Sequence, residues 1–150
     1  MTPGLYATLV TLHVLGAAVW AGGHLVLTLG VLPGVLRRRD TPFLLRFEGA
    51  FERVGLPALA LQAFTGVPLA ARLVPDLGAW LWPTSAVEWR VAAKLGLLAA
   101  TLALAVHARL RVIPRLDEES LPGLAAHIVA VTVLAVLLVI VGVSFRTGVP

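Results

Sequence analysis

The chain has 150 residues, of which 59% are hydrophobic and only 13% are charged, and its mean hydropathy is +0.93. Soluble domains carry about 45–50% apolar and about 25% charged residues, so a soluble enzyme, a disordered chain and a nucleic-acid module are excluded. The net charge of +4 lies mostly in short loops between apolar runs, and the absence of cysteine excludes disulfides, thiolate metal sites and iron–sulfur clusters. The composition predicts an integral membrane protein whose partner is the lipid bilayer, with no nucleic-acid partner.

Four apolar runs predict four membrane-spanning helices in a single domain covering residues 1–150. A helix needs about 20 apolar residues to cross a bilayer core of roughly 30 Å, and lipid satisfies no open backbone. The predicted fold is therefore an all-α integral membrane protein, an up-down bundle of four transmembrane helices. The predicted spans are at about residues 5–34, 54–73, 88–110 and 122–145.

The first loop contains a second helical pattern. Within residues 41–53, the apolar residues Phe43, Leu44, Phe47 and Phe51 recur at helical spacing with charged residues between them. An amphipathic helix of this kind lies in the membrane interface with its apolar face towards the acyl chains. We therefore expect a short surface helix in the first cytoplasmic loop.

The distribution of basic residues predicts the orientation. Loops one and three carry eight Arg residues, whereas the opposite side and span three together carry four Lys and Arg residues. The positive-inside rule then places loops one and three in the cytoplasm and both termini outside. We expect a multi-pass protein of a bacterial-type inner (plasma) membrane with this topology.

Five ionisable side chains fall at membrane depth, and all four histidines of the protein are among them. Such residues are costly in lipid, so each is a candidate functional residue. Their positions along the spans form two tiers. The outer tier has His13 and Lys94, and the inner tier has His24, His107 and His127.

Two of these positions favour a haem arrangement, and one angle opposes it. His13 and His24 share one face of span one, about 16 Å apart along its axis. Spans one and three are diagonal in an up-down bundle, so facing side chains on these two spans could bracket haem b. Lys94 and His107, however, point roughly 140° apart on a straight helix. Either the long Lys94 side chain snorkels to the outer interface, or His107 turns towards span four and meets His127.

Three stretches of the chain resemble a known superfamily. LHVLGAAVWAGGHLVL (12–27), FERVGLPALALQAFTGVPLA (51–70) and WRVAAKLGLLAATLALAVHARLRVIPRL (89–116) are similar to the first three helices of two related groups. These are the HemJ-type protoporphyrinogen oxidases and the CopD copper-resistance family. By position, His13 and Lys94 match the helix-one His and helix-three Lys that HemJ-type proteins need for activity and haem binding.

The resemblance implies a haem b-binding protein for electron transfer or haem-linked oxidation, an oxidoreductase with a quinone or redox-protein partner. The alternative is a CopD-like copper-homeostasis protein, and a third hypothesis is a purely structural subunit. The haem would be held by His13, His24, Lys94, His107 and His127, and copper by the four histidines. With no Cys and only Met1 as a thioether, Cu(I) is disfavoured relative to Cu(II) or Zn(II). The lipid-facing surface of four short helices is also compatible with a homodimer.

Overall fold

The chain folds into helices, as the apolar runs predict. The computed structural model describes residues 1–117 and 119–148, and within them four helices are long and apolar enough to cross a membrane. We name them spans one to four: Pro3–Arg38, Thr41–Leu73, Ala86–Arg115 and Leu121–Thr147. The predicted all-α fold with four membrane-spanning helices is confirmed, and each predicted span lies inside one of these helices.

Two of the spans change their helical winding along their length. Span one consists of α1 (Pro3–Leu25), a π-helical segment (Val26–Val31) and α2 (Leu32–Arg38). Span two is the single helix α3 (Thr41–Leu73). Span three consists of α4 (Ala86–His107), a π-helical segment (Ala108–Val112) and a 3-10 turn (Ile113–Arg115). Span four is α5 (Leu121–Thr147), and the loop between spans two and three contains a 3-10 turn, Gly78–Trp80.

The first loop differs from the prediction. Arg39 adopts a left-handed conformation (φ 53°), and the Asp40 carboxylate then accepts a hydrogen bond from the Phe43 backbone N–H at 3.0 Å. This cap starts α3 at Thr41, so residues 41–53 are continuous with span two and do not form a separate surface helix. The physical reason is that Phe51 packs on α1 inside the bundle, against Gly23.

The helices pack as a row that curls around a central space. Among the described residues, α3 packs on α1, α1 on α5 and α5 on α4, whereas α3 and α4 hardly approach each other along their backbones. Gly16 brings α1 and α3 together, since a Cβ there would lie 2.8 Å from the Ala58 carbonyl oxygen. Spans one and three are diagonal, as an up-down bundle requires. The side between α3 and α4 is the open side of the bundle.

The two ends of the bundle differ in charge. The end at loops one and three carries eight Arg residues, and we call it the arginine-rich end. A core cluster near this end joins Leu32, Leu44, Leu121 and Leu124, all at most 4% exposed. Other large apolar side chains point away from the bundle, as in Phe64 at 80% exposed, which suits contact with lipid.

Candidate functional site

Two of the predicted site residues are in direct contact. The Nδ1 atom of His107 lies 2.9 Å from the Nε2 atom of His127, and the two rings are stacked with centroids 5.0 Å apart. This contact joins the C-terminal end of α4 to the first turns of α5. Of the two outcomes expected for span three, the structure therefore has His107 turned towards span four.

The hydrogen bonds fix which ring nitrogens carry protons. The Nδ1 atoms of His24 and His127 lie 2.9 and 3.0 Å from the carbonyl oxygens of Trp20 and Gly123, one helical turn earlier. A carbonyl oxygen only accepts, so in the neutral imidazoles both Nδ1 atoms donate and both Nε2 atoms keep a lone pair. His107 then donates its Nδ1–H to His127, which leaves its own Nε2 with a lone pair. A second ring N–H held by a backbone carbonyl is the usual arrangement around metal-binding histidines.

A cavity of about 90 Å³ lies between the four spans, towards the arginine-rich end. We call it the inner cavity. His24 and His127 both line it, together with Trp20 and Phe51, and every span contributes to its wall. The structure therefore brings together two members of the predicted inner tier at one cavity, with His107 hydrogen-bonded to one of them.

Aromatic rings hold His24 in place. The Trp20 ring centroid is 4.3 Å from that of His24, and Phe51 meets His24 edge-on at 5.1 Å. Trp20 is only 5% exposed, and the absence of a Cβ at Gly23 makes room for the Phe51 ring. His24, itself 8% exposed, is therefore fixed in orientation by packing as well as by its hydrogen bond.

Charged residues at the same cavity were missed by the sequence analysis. Glu48 and Glu52 from α3 and Arg109 from span three line the inner cavity, and Arg109 Nη1 lies 2.9 Å from Glu52 Oε2. The missed signal is the spacing of Glu48, Phe51, Glu52 and Gly55, which places all four on one helix face. Assigning this segment to the membrane surface concealed that the face points into the bundle.

The outer-tier residues lie apart from this cavity. The Thr65 hydroxyl donates to the Leu61 carbonyl at 2.6 Å, so it accepts the Nδ1–H of His13, 3.0 Å away. The Lys94 ammonium lies 5.9 Å from the Phe145 ring centroid, and neither His13 nor Lys94 lines the inner cavity. The division into two tiers stays a prediction. Their roles as ligands remain predictions.

The winding of the helices changes next to two of the inner histidines. The π-helical segment of span one begins two residues after His24, and that of span three begins directly after His107. π-Helical turns are rare and are found frequently at functional sites. This placement singles out the inner tier rather than the outer tier.

One loop carboxylate near the arginine-rich end is also tightly held. Ser120 donates its hydroxyl and its backbone N–H to Asp117, each at 2.7 Å. These hydrogen bonds hold the pKa of the Asp117 carboxyl below its usual value. These two hydrogen bonds tie Asp117 to Ser120, just before α5 begins.

The dimensions of the site test the two cofactor expectations. Cavities that take drug-sized ligands have volumes of about 300–1,000 Å³, so the inner cavity of about 90 Å³ is too small for a porphyrin with the side chains as they stand. A larger, more open recess of about 500 Å³ beside His107 is lined by residues of span three alone. Within residues 1–117 and 119–148, no group of three or more His, Asp or Glu side chains is already arranged to hold a metal ion. The haem b expectation thus finds no support, and a small cation fits the space only if side chains converge on it.

Comparison with protein families decides between the two halves of the resemblance. The family model described as "Copper resistance protein D" (CopD) matches residues 45–145, about two-thirds of the chain. The chain belongs to the CopD family. Comparisons with curated proteins and with solved structures found no match.

The CopD match includes all three charged residues that line the inner cavity. It includes His107, Arg109 and His127 together with both glutamates of α3, whereas His13 and His24 precede it. The HemJ-type specificity suggested by the first helix has no support in this match. The chain is thus a membrane protein of the copper resistance family.

Proposed function

We propose that this CopD-family protein is a copper-homeostasis membrane protein that binds copper, as Cu(II), at its inner cavity. The observation that carries the proposal is that His24 and His127 face one cavity with their Nδ1–H groups already committed to carbonyl oxygens. Each imidazole then offers its Nε2 lone pair, a donor that suits copper. Copper is the cargo of the protein here, not a resident cofactor.

Binding requires a small rearrangement of the histidine pair. His127 exchanges the N–H of His107 for the metal, and the free Nε2 of His107 becomes a third imidazole donor. The exposed position of His107, at the end of α4 and beside a π-helical segment, leaves its ring room to turn. The family match supports copper as the ion, and the absence of cysteine favours imidazole and carboxylate donors over thiolates.

Direct titration of the purified protein tests the proposal. The detergent-solubilised chain is titrated with CuCl₂ against a weak competing chelator, and the bound Cu(II) is examined by electron paramagnetic resonance. We expect about one Cu(II) per chain, with nitrogen hyperfine splitting from imidazole. His24→Ala and His127→Ala should each weaken binding by about tenfold or more, whereas His13→Ala should stay close to wild type.

Three outcomes would contradict the proposal. A wild-type protein that takes up no copper would refute it, and a loss in His13→Ala equal to that in His127→Ala would move the site to the outer tier. A stoichiometric pyridine haemochrome with a sharp Soret band in the purified protein would restore the haem b hypothesis instead.

A further inference from the structure

The open side of the bundle is bridged by one ion pair. Arg109 of span three and Glu52 of α3 meet at 2.9 Å, although the two helices hardly approach along their backbones. Both residues line the inner cavity, and the Arg109 side chain is 60% exposed while that of Glu52 is 28% exposed. The pair therefore stands where the cavity reaches the surface near the arginine-rich end.

A second carboxylate shares this position. Glu48 lies one helical turn before Glu52 on the same face of α3, is half-buried, and lines the inner cavity together with Glu52 and Arg109. Two carboxylates and one guanidinium thus border the same cavity. Without Arg109, the two carboxylates would repel each other at the edge of a membrane and would attract a divalent cation.

We propose that Glu48, Glu52 and Arg109 form an ionic gate to the inner cavity, in which Arg109 occupies the carboxylates until an incoming divalent cation displaces it. This inference rests on the proposed function, because the cation it admits is the Cu(II) that His24 and His127 bind. Partly exposed ion pairs contribute little net stability, so the Arg109–Glu52 contact can open and close reversibly. Arg109 also belongs to the π-helical segment Ala108–Val112, in which the regular α-helical hydrogen bonding is already broken.

An ionic gate and a purely structural clasp, in which the ion pair only holds α3 to span three, predict different changes in Cu(II) affinity. If Arg109 competes with the cation, Arg109→Gln should strengthen Cu(II) binding by roughly fivefold or more, a modest value for coupled sites. Glu52→Gln should weaken Cu(II) binding, because it removes a carboxylate that attracts the metal. If the pair only clasps α3 to span three, both substitutions break the same clasp and should shift Cu(II) binding in the same direction.

The experiment is the CuCl₂ titration of the full-length protein in detergent, with four variants. Arg111→Gln is the matched control, since Arg111 lies in the same π-helical segment but borders the recess beside His107 and not the inner cavity. Arg109→Lys keeps the positive charge but loses the forked geometry, so it should give a smaller gain in Cu(II) affinity than Arg109→Gln. It replaces Arg109→Gln as the test if that variant does not fold.

The outcomes separate the gate from the proposed function. Opposite shifts for Arg109→Gln and Glu52→Gln, with Arg111→Gln near wild type, support the gate. Shifts in the same direction, or an Arg109 variant indistinguishable from Arg111→Gln, overturn the gate while the copper function stands. A wild-type protein that binds no Cu(II) overturns both.

Discussion

The neighbouring glycines of α1 offer a sharp test of how the bundle is assembled. A Cβ added at Gly23 would overlap the ring of Phe51, whereas a Cβ at Gly22 would meet nothing within 4 Å. Gly23→Ala must therefore displace the Phe51 ring, which packs against His24 and Trp20, while Gly22→Ala leaves the packing unchanged. The two substitutions add the same methyl group one residue apart, so each controls for the other.

The expected magnitude follows from the cost of overpacking. Forcing extra volume into a packed interior costs about 1–3 kcal/mol. For a chain of this size, each kcal/mol shifts the melting temperature by about 2–4 °C, so Gly23→Ala should melt about 2–12 °C below wild type. Gly22→Ala should melt at or above the wild-type temperature, because Ala favours a helix over Gly.

The assay is tryptophan fluorescence during heating of the detergent-solubilised protein, checked by gel filtration of heated samples. The double variant Gly23→Ala/Phe51→Leu should lose less stability than the two single variants lose together, since a smaller side chain at position 51 relieves the overlap. If Gly23→Ala and Gly22→Ala melt within about 1 °C of each other, then Phe51 does not occupy the notch left by the missing Cβ of Gly23. The packing of residues 41–53 into the bundle would be refuted with it.

Two further predictions follow from hydrogen bonds at the same end of the bundle. Thr28→Val removes the 2.6 Å hydrogen bond to Thr132 between spans one and four and should cost about 0.6 kcal/mol and at most about 1.7. Thr101→Val is the control: its hydroxyl donates to the Leu97 carbonyl of its own helix, so the substitution should be nearly neutral in the same melting assay. The lowered pKa of Asp117 means that its contribution to stability is present above the unfolded pKa and is lost as pH falls through the folded pKa. Ser120→Ala should therefore move the acid limb of a melting-temperature profile to higher pH, and an unshifted limb would contradict the assignment.

The fold was largely predictable because membrane depth imposes a simple rule. Runs without charge must form helices in lipid, and the four predicted spans fall inside the four observed ones. The exception was residues 41–53, where charges suggested a surface position. These residues join the bundle because Phe51 packs against Gly23 of α1, a contact that the periodicity within α3 alone does not reveal.

The inner cavity brings together histidines that the sequence singles out and charged residues that it does not, and whether they form a functional site stays a prediction. The angle between Lys94 and His107 already required one of them to leave the bundle axis, and the pairing with His127 was one of the two stated outcomes. The Glu52–Arg109 contact joins positions 57 residues apart on helices whose backbones barely meet. Only the row-like packing of the spans, which leaves α3 and α4 facing each other across a gap, brings these two charges together.

The donors available at the inner cavity decide which copper ion the proposed function would involve. The chain has no cysteine and a single methionine at its first residue, so soft ligands are missing from the inner cavity. Imidazole nitrogens and carboxylate oxygens are the donors at hand there, and these suit Cu(II) better than Cu(I). They also suit Zn(II), so selectivity would have to come from geometry. No three of these donors are preassembled among the described residues, so the copper binding proposed above would have to draw His24, His127 and His107 together. Under that proposal the site forms only around its cargo, and it would release the cargo more readily than a rigid cage.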